Sequence, residues 1–282
     1  MKKNNSLSHL TLLKKEQNKK IPRISSEINK RSMRAYHEQY WYGENFLYNF
    51  FDINKIKNKS VLEIGPAEAG LLKFFKEKGA DCTGLELSPL RFSHSILLND
   101  LNDLKLITGD ICDKQSYKEL HNHKFDYIII RDVIEHIDNK VNALKNIYDL
   151  LSDKGQLFIS FPPKYCPYAG HQQTIKNNLG KLPYIHLLPN FVYKRFLSFL
   201  KHPKEAIGYL LATKSTRISV IEMKKIFTEL KFTIKKNNLY FFRPAYKFRF
   251  NLPTLKNPFS KIPVLNEIFT NGALFILTKE KL

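Results

Sequence analysis

The residues best suited to chemistry fall at five separated points, each at the end of a short apolar run. At 61–70 the chain reads V-L-E-I-G-P-A-E-A-G. Glu63 sits inside the run, and Gly65 and Gly70 bracket a turn that also holds Pro66 and Ala67. Glycine lets the backbone approach a ligand closely, and a helix starting after such a turn offers unpaired N–H groups and a positive dipole. Glu86 follows Glu63 by 23 residues, an interval at which an acid suits hydrogen bonds to ribose hydroxyls. Gly109-Asp110-Ile111 ends a third run, where a carboxylate can meet an adenine amino group. Arg131-Asp132 ends a fourth and leads into Val133-Ile134-Glu135-His136. The fifth ends in F-P-P-K-Y-C-P-Y-A-G-H-Q-Q from Phe161, which carries Tyr165 and His171. An acid inside an apolar run is costly to bury without a hydrogen-bond partner, which favours a functional role for Glu63.

These points need a scaffold that gathers strand ends. SVLEIG, DCTGLEL, LKLITGD, FDYIIIRD and GQLFISFPP read as strands. Helical stretches separate them. AGLLKFFKEKG is amphipathic and stopped by Gly79, SPLRFSHSILLND opens with Ser88 as N-cap and Pro89 at the first helical position, and residues 114–122 and 133–152 follow. The alternation implies right-handed βαβ units around a parallel sheet. In such a sheet a ligand lies outside the carboxyl ends of the strands, at the point where strand order reverses. Residues 31–53 are rich in aromatics and predict one or two helices. After residue 163 the rhythm breaks, and 164–216 reads as an insertion over one face of the sheet. ISVIEMKKIFTEL is then a helix, and KFTIKKNNLYFF and GALFILTKE are strands separated by a proline-broken excursion at 243–270. Residues 1–30 are polar, lysine-rich and predicted to be mobile, which leaves 31–282 as a single domain.

The ordered set E-I-G-P-A-E-A-G, G-L-E-L-S-P, G-D-I, F-D-Y-I-I-I-R-D-V-I-E-H-I and L-L-S-D-K-G-Q-L-F-I-S-F-P-P resembles a class I S-adenosylmethionine-dependent methyltransferase. The resemblance covers about residues 40–163 and, more loosely, 217–280. One glycine turn would equally open a dinucleotide fold, but no clean G-x-G-x-x-G follows the first strand. The resemblance implies an α/β, Rossmann-like fold: a mostly parallel seven-stranded sheet, helices on both faces, and a helical insertion after strand five. It implies S-adenosylmethionine as cofactor. Glu63, Gly65 and Gly70 would frame its amino-acid part, with Pro66 and Ala67 in the same turn. Glu86, with Leu87 beside it, would hold the ribose diol. Asp110 and Ile111 would flank the adenine, and Arg131 would line the sulfonium pocket. Ala67 and Ala69 stand where this family usually has glycine, which narrows the turn.

Methyl transfer from an activated sulfonium needs mainly alignment, and a base where the acceptor is a hydroxyl. His171, on a proline-stiffened loop, is one candidate base; His136 is a second catalytic candidate, and His186 a weaker one. Arg243, Lys247 and Arg249, in F-F-R-P-A-Y-K-F-R-F, are candidates for a phosphate or carboxylate on the acceptor, and Tyr165 for its body. The absence of [DN]-P-P-[YF] after strand four argues against methylation of nucleic-acid base amines. The expected acceptor is a small hydroxylated metabolite, a sugar or a lipid-linked intermediate.

Charge keeps two other functions open. The net charge of +20 is uneven. Residues 1–40 hold ten Lys/Arg against three Asp/Glu, 41–159 hold 15 against 18, and 160–282 hold 21 against five. Composition bias of an AT-rich, bacterial kind explains this, as does an anionic partner, whether RNA or a phospholipid surface. An RNA methyltransferase and a non-catalytic, methyltransferase-like module that binds a partner or a membrane surface are therefore the alternatives. Three scattered cysteines make neither a disulfide framework nor a zinc site, and no metal ligand set shows in the spacing. No apolar run reaches the roughly 18 residues of a membrane span. No secretory signal is visible either, so the expected setting is cytoplasmic.

Overall fold

A computed structural model describes residues 28–51, 56–99, 104–172, 175 and 177–280. The mobile segment expected over 1–30 falls almost wholly outside them. Asn29 caps the first helix, α1 (Lys30–Tyr42), by accepting from the Ser32 N–H. A π-turn (Gly43–Leu47) and one further turn to Phe50 continue it. This matches the aromatic-rich stretch read as helical, and its rings pack onto the sheet through Phe50 and Phe51 against Phe158.

The repeating unit follows as the strand and helix signals require. β1 (Ser60–Ile64), α2 (Gly70–Glu77), β2 (Asp81–Glu86), α3 (Pro89–Leu98), β3 (Lys105–Thr108), β4 (Phe125–Arg131), α4 (Lys140–Leu150) and β5 (Leu151–Phe161) build the parallel part. Gly79 ends the α2 region with φ +88, and Ser88 caps α3. The helix expected over 133–152 divides. A 3₁₀ turn (Ile134–His136) comes first, then Asn139 caps α4 through the Asn142 N–H. β5 also starts earlier than expected, because Leu151 pairs with Phe125 ahead of a bulge.

The insertion carries α5 (Asn190–Phe199) and α6 (Lys204–Ser215), which close a small core of their own with Tyr193, Leu197, Ile207 and Leu210. α7 (Val220–Glu229) begins with a Ser219–Glu222 capping box, and β6 (Phe232–Phe242) follows. α8 (Ala245–Phe250), a two-residue β7 (Leu255–Lys256) and α9 (Leu265–Ile268) form the excursion before β8 (Gly272–Lys279).

The sheet order is β3-β2-β1-β4-β5-β8-β6-β7, with β8 antiparallel to both β5 and β6. It has eight strands where seven were expected. The extra one, β7, is a two-residue ladder at Tyr240 and Phe242, made where the excursion crosses the edge of β6. Fully buried Ile128, Ile129 and Ile130 in β4 face both main cores, one under α4 and α7 and the other under α1 and α2. This agrees with the two-sided burial read from their continuous apolar run.

Candidate active site

Strand order reverses between β1 and β4, so their carboxyl ends diverge and leave a crevice. A cavity of about 980 Å³ lies there. Its lining includes Glu63, Gly65, Ala67, Glu86, Leu87, Asp110, Ile111, Arg131, His136, His171, Arg243 and Arg249. Of the other residues singled out from sequence, Pro66, Gly70, Tyr165 and Lys247 lie outside that lining. Pro66 is buried beneath the turn, with Gly84 against it. Gly70 is covered by α1, since a Cβ there would meet the Tyr36 carbonyl oxygen at 2.1 Å. Tyr165 is 38% exposed and lies beside Lys164. Lys247 donates to Asn251 on the exposed side of α8. His186 is internal to the insertion, with Nε2 facing the Lys164 carbonyl and Nδ1 facing Gln172.

The turn after β1 is tighter than its composition suggests. Gly65, Ala67 and Ala69 have φ of 67, 52 and 60. Two alanines thus occupy the left-handed region where glycine is the ordinary choice, at a cost of about 1–2 kcal/mol each. The expected unpaired N–H groups are largely consumed within the protein. The Ala67 N–H donates to Glu86 Oε2, Ala69 to the Pro66 carbonyl and Gly70 to Gln39 Oε1. A phosphate-bearing ligand relies on such donors, so their internal use disfavours a dinucleotide. Glu86 is pinned from two sides, since Oε1 accepts from the Ser88 N–H at 2.8 Å. Asp110 is held at the rim, its Oδ1 accepting from the Cys112 N–H.

The cavity wall holds two buried polar atoms without hydrogen-bond partners among the described residues, Glu63 Oε2 and Arg131 Nη1. Burial raises Glu63 to about 8, against a smaller lowering by Arg131. The Arg131 guanidinium lies 4.6 Å from the Tyr42 ring centroid and 3.8 Å from Glu38 Oε1. Asp132, with φ 56, pairs with Arg243 and accepts from Ser160 Oγ. Burial pushes the Asp132 carboxyl up, but Arg243 and Arg131 outweigh it and hold it below its ordinary range.

Sequence reasoning left several residues of this cavity unassigned. Glu135, 1% exposed, lies beside His136, and burial followed by the nearby Asp132 raises its carboxyl to about 8. His171 (φ 57) has Nδ1 at 3.2 Å from the Tyr209 hydroxyl, and its ring stands 5.0 Å from that of His136. Burial and then Arg217 lower His136 to about 4 and His171 to about 3. His171, the candidate base, is therefore a weaker base than an ordinary histidine. Glu38 and Gln39 of α1 also face the cavity, and Glu38 takes a bidentate Arg249 at 2.7 and 2.8 Å. Glu135 was signalled only by its place next to a histidine at a strand end. Glu38 gave no signal, because its partner is 211 residues away.

Sheet order and strand-end acids together define an α/β enzyme of the class I methyltransferase kind. A family model described as a methyltransferase domain matches residues 33–202. The chain belongs to this methyltransferase family, as a class I, S-adenosylmethionine-dependent member. No curated protein matches it. Solved structures of similar fold include the plantazolicin methyltransferase BamL in complex with a triazolic desmethylPZN analog and SAH. It is 13% identical at TM-score 0.52, with 99% of this chain and 92% of that one covered. Magnesium protoporphyrin IX methyltransferase (ChlM) from Synechocystis PCC 6803 with bound SAH is 13% identical at TM-score 0.50, covering 90% and 89%. A chain from the complex of the Haloferax volcanii Trm112 methyltransferase activator is 12% identical at TM-score 0.54, covering 90% and 95%. No described helix is long and apolar enough to cross a membrane.

Proposed function

We propose that this enzyme methylates a hydroxyl of a small polar acceptor, with the cofactor's amino-acid end seated on Glu63 and Arg131. The orphan pair carries this reading. A zwitterionic amino acid brings an ammonium for Glu63 Oε2 and a carboxylate for Arg131 Nη1, so each of these buried polar atoms gains the hydrogen-bond partner it lacks. That assigns Arg131 to the carboxylate, away from the sulfonium expected from sequence. Glu86, already oriented by two backbone N–H groups, keeps lone pairs for the ribose hydroxyls. Asp110 and Ile111 stand at the adenine end. The cofactor supplies an activated methyl on sulfur, and the chain supplies alignment and an enclosed site.

The acceptor enters from the β4 and β5 ends, where His136, His171 and Tyr209 meet. Arg31, Arg34 and Arg91 also border the cavity, and a basic rim suits an acceptor bearing a carboxylate or phosphate. The neighbours of similar fold include a plantazolicin methyltransferase and a magnesium protoporphyrin IX methyltransferase, and this cavity is of small-molecule size.

Calorimetry with SAH and the Glu86→Ala variant tests the cofactor seat. Loss of two charge-assisted hydrogen bonds, about 3 kcal/mol together, weakens binding about a hundredfold. Circular dichroism should show the fold retained, while the unfolding midpoint falls by several degrees, because the Ala67 and Ser88 N–H groups lose their acceptor. Unchanged affinity would remove Glu86 from the ribose. Label from methyl-labelled S-adenosylmethionine, followed over hydroxylated and amino acceptors of matched size, should appear as O-methyl product. Exclusive N-methylation would overturn the hydroxyl assignment.

A further inference from the structure

After β4 the chain passes Asp132 in a left-handed conformation and enters the 3₁₀ turn Ile134–His136, which sets Glu135 and His136 side by side at the cavity wall. Thr216 Oγ1 donates to the Glu135 carbonyl at 2.7 Å and anchors that turn. From the loop after β5, His171 reaches the same place, its ring oriented by the Tyr209 hydroxyl. One ligand atom from each of Glu135, His136 and His171 lies within 4.8 Å of the other two, the single such group among the described residues. The Glu135 carboxyl is buried, and its Oε2 has no hydrogen-bond partner among the described residues. Arg217 Nη1 is 3.7 Å from the other oxygen, beyond hydrogen-bond reach.

Two imidazoles and one carboxylate on one wall of a cavity form a facial ligand set that leaves coordination positions open. We infer that Glu135, His136 and His171 bind one divalent first-row transition-metal ion, whose open positions take the acceptor hydroxyl and a neighbouring oxygen of the same molecule. Metal–ligand bonds of about 2.0–2.2 Å require the three donors to draw in to roughly 3 Å of one another. A bound metal acidifies a coordinated hydroxyl, so the acceptor loses its proton to solvent without a strongly basic side chain. The balance is simple. An oxygen electron pair forms the O–CH₃ bond, the C–S pair stays on sulfur, and one proton is released per turnover. Bidentate oxygen donors such as a catechol or an α-hydroxy acid fit these open positions. His136 and His171 are 35 residues apart in the chain, so no ligand spacing reveals the set in the sequence. This inference rests on the hydroxyl reading above, and on the cofactor seat only through the shared cavity.

The test is Co²⁺ titration of the full chain after chelator treatment, followed by visible ligand-field absorption and by calorimetry. The expected result is one Co²⁺ per chain, displaced by Zn²⁺. His136→Ala and His171→Ala should each weaken Co²⁺ binding about tenfold or more. SAH affinity, measured on the same samples, should be unchanged and shows that each variant is folded. Glu135→Gln, which keeps the side-chain volume, should behave the same way. Absent Co²⁺ binding with SAH still bound overturns the metal site and leaves the cofactor reading intact. Co²⁺ binding that none of the three substitutions weakens overturns it too. Loss of SAH binding in the parent chain would instead sink the cofactor seat.

Discussion

A buried carboxyl with no partner is a residue-scale record of what the site expects. Glu63 is held near 8, above its ordinary 4.5, by burial. Its protonated form therefore stabilises the ligand-free chain most fully below 4.5, and that contribution is lost as pH rises through 8. An ammonium beside it reverses the preference and draws Glu63 into its ionised state. At pH 7 the free chain carries this proton and the complex does not, so SAH binding should release close to one proton. Calorimetry in phosphate and in Tris separates the two heats, because each buffer takes up the proton with a different enthalpy. Equal enthalpies in the two buffers would refute the ammonium contact, and Glu63→Gln should abolish the difference. Much of this scale was legible beforehand. Glu63, Glu86, Asp110 and Arg131 stand at strand ends in the sequence and line one cavity in the fold. The alanine positions were legible as an oddity, but their left-handed φ was not, since a small residue in a turn does not announce a strained one. The Glu63–Arg131 charge balance was hidden because it depends on which side chains lack partners in three dimensions.

At the scale of elements, α1 explains more of the site than any strand does. It lies across α2 with two glycines at the contact. Gly43 meets Phe74 and Leu71, and Gly70 meets the Tyr36 carbonyl. From this position Gln39 caps α2 by accepting from the Gly70 N–H, and its amide nitrogen donates to Glu68. Gly70 was read from sequence as a cofactor contact, and its nearest neighbours are in α1. Gly70→Ala would place a methyl carbon 2.1 Å from a backbone oxygen, so α1 must shift. Overpacking of this kind costs about 1–3 kcal/mol, which lowers the unfolding midpoint by roughly 2–10 °C for a chain of this size. SAH affinity should fall along with it, because Gln39 and Glu38 leave the cavity wall together. A Gly70→Ala protein with the parent's midpoint and affinity would show that α1 does not need this contact. Strand and helix order was readable because apolar period and cap residues are local. The docking of α1 was not, because nothing local in the sequence marks Gly43 as lying against Leu71 and Phe74, or Gly70 against Tyr36. The split of 133–152 into a 3₁₀ turn and α4 turned on Asn139, whose capping role competes with an otherwise helical pattern.

For the whole molecule, the uneven charge has an internal outlet. Basic residues of the C-terminal half reach acids elsewhere in the chain: Arg243 to Asp132, Arg217 to Glu135, Lys279 to Asp153 and Arg249 to Glu38. The last pair joins the first helix to the late excursion at the cavity wall, with Trp41 against Phe248 and Arg34 donating to the Arg249 carbonyl nearby. Glu38 is buried and Arg249 is partly exposed, so solvent screens the pair in part. Breaking a fully buried pair costs about 3–5 kcal/mol by stranding the survivor's charge; with this screening, Arg249→Ala should cost roughly 2 kcal/mol. Glu38→Gln alone should also destabilise, since it leaves Arg249 and Arg131 without their common acid. If the two elements are held by this pair, the double variant loses less than the sum of the singles, by more than the roughly 0.5 kcal/mol scatter of independent sites. Urea unfolding of the four proteins measures that difference. Strict additivity would mean that the pair does not hold the two elements together, and that apolar contacts such as Trp41–Phe248 do.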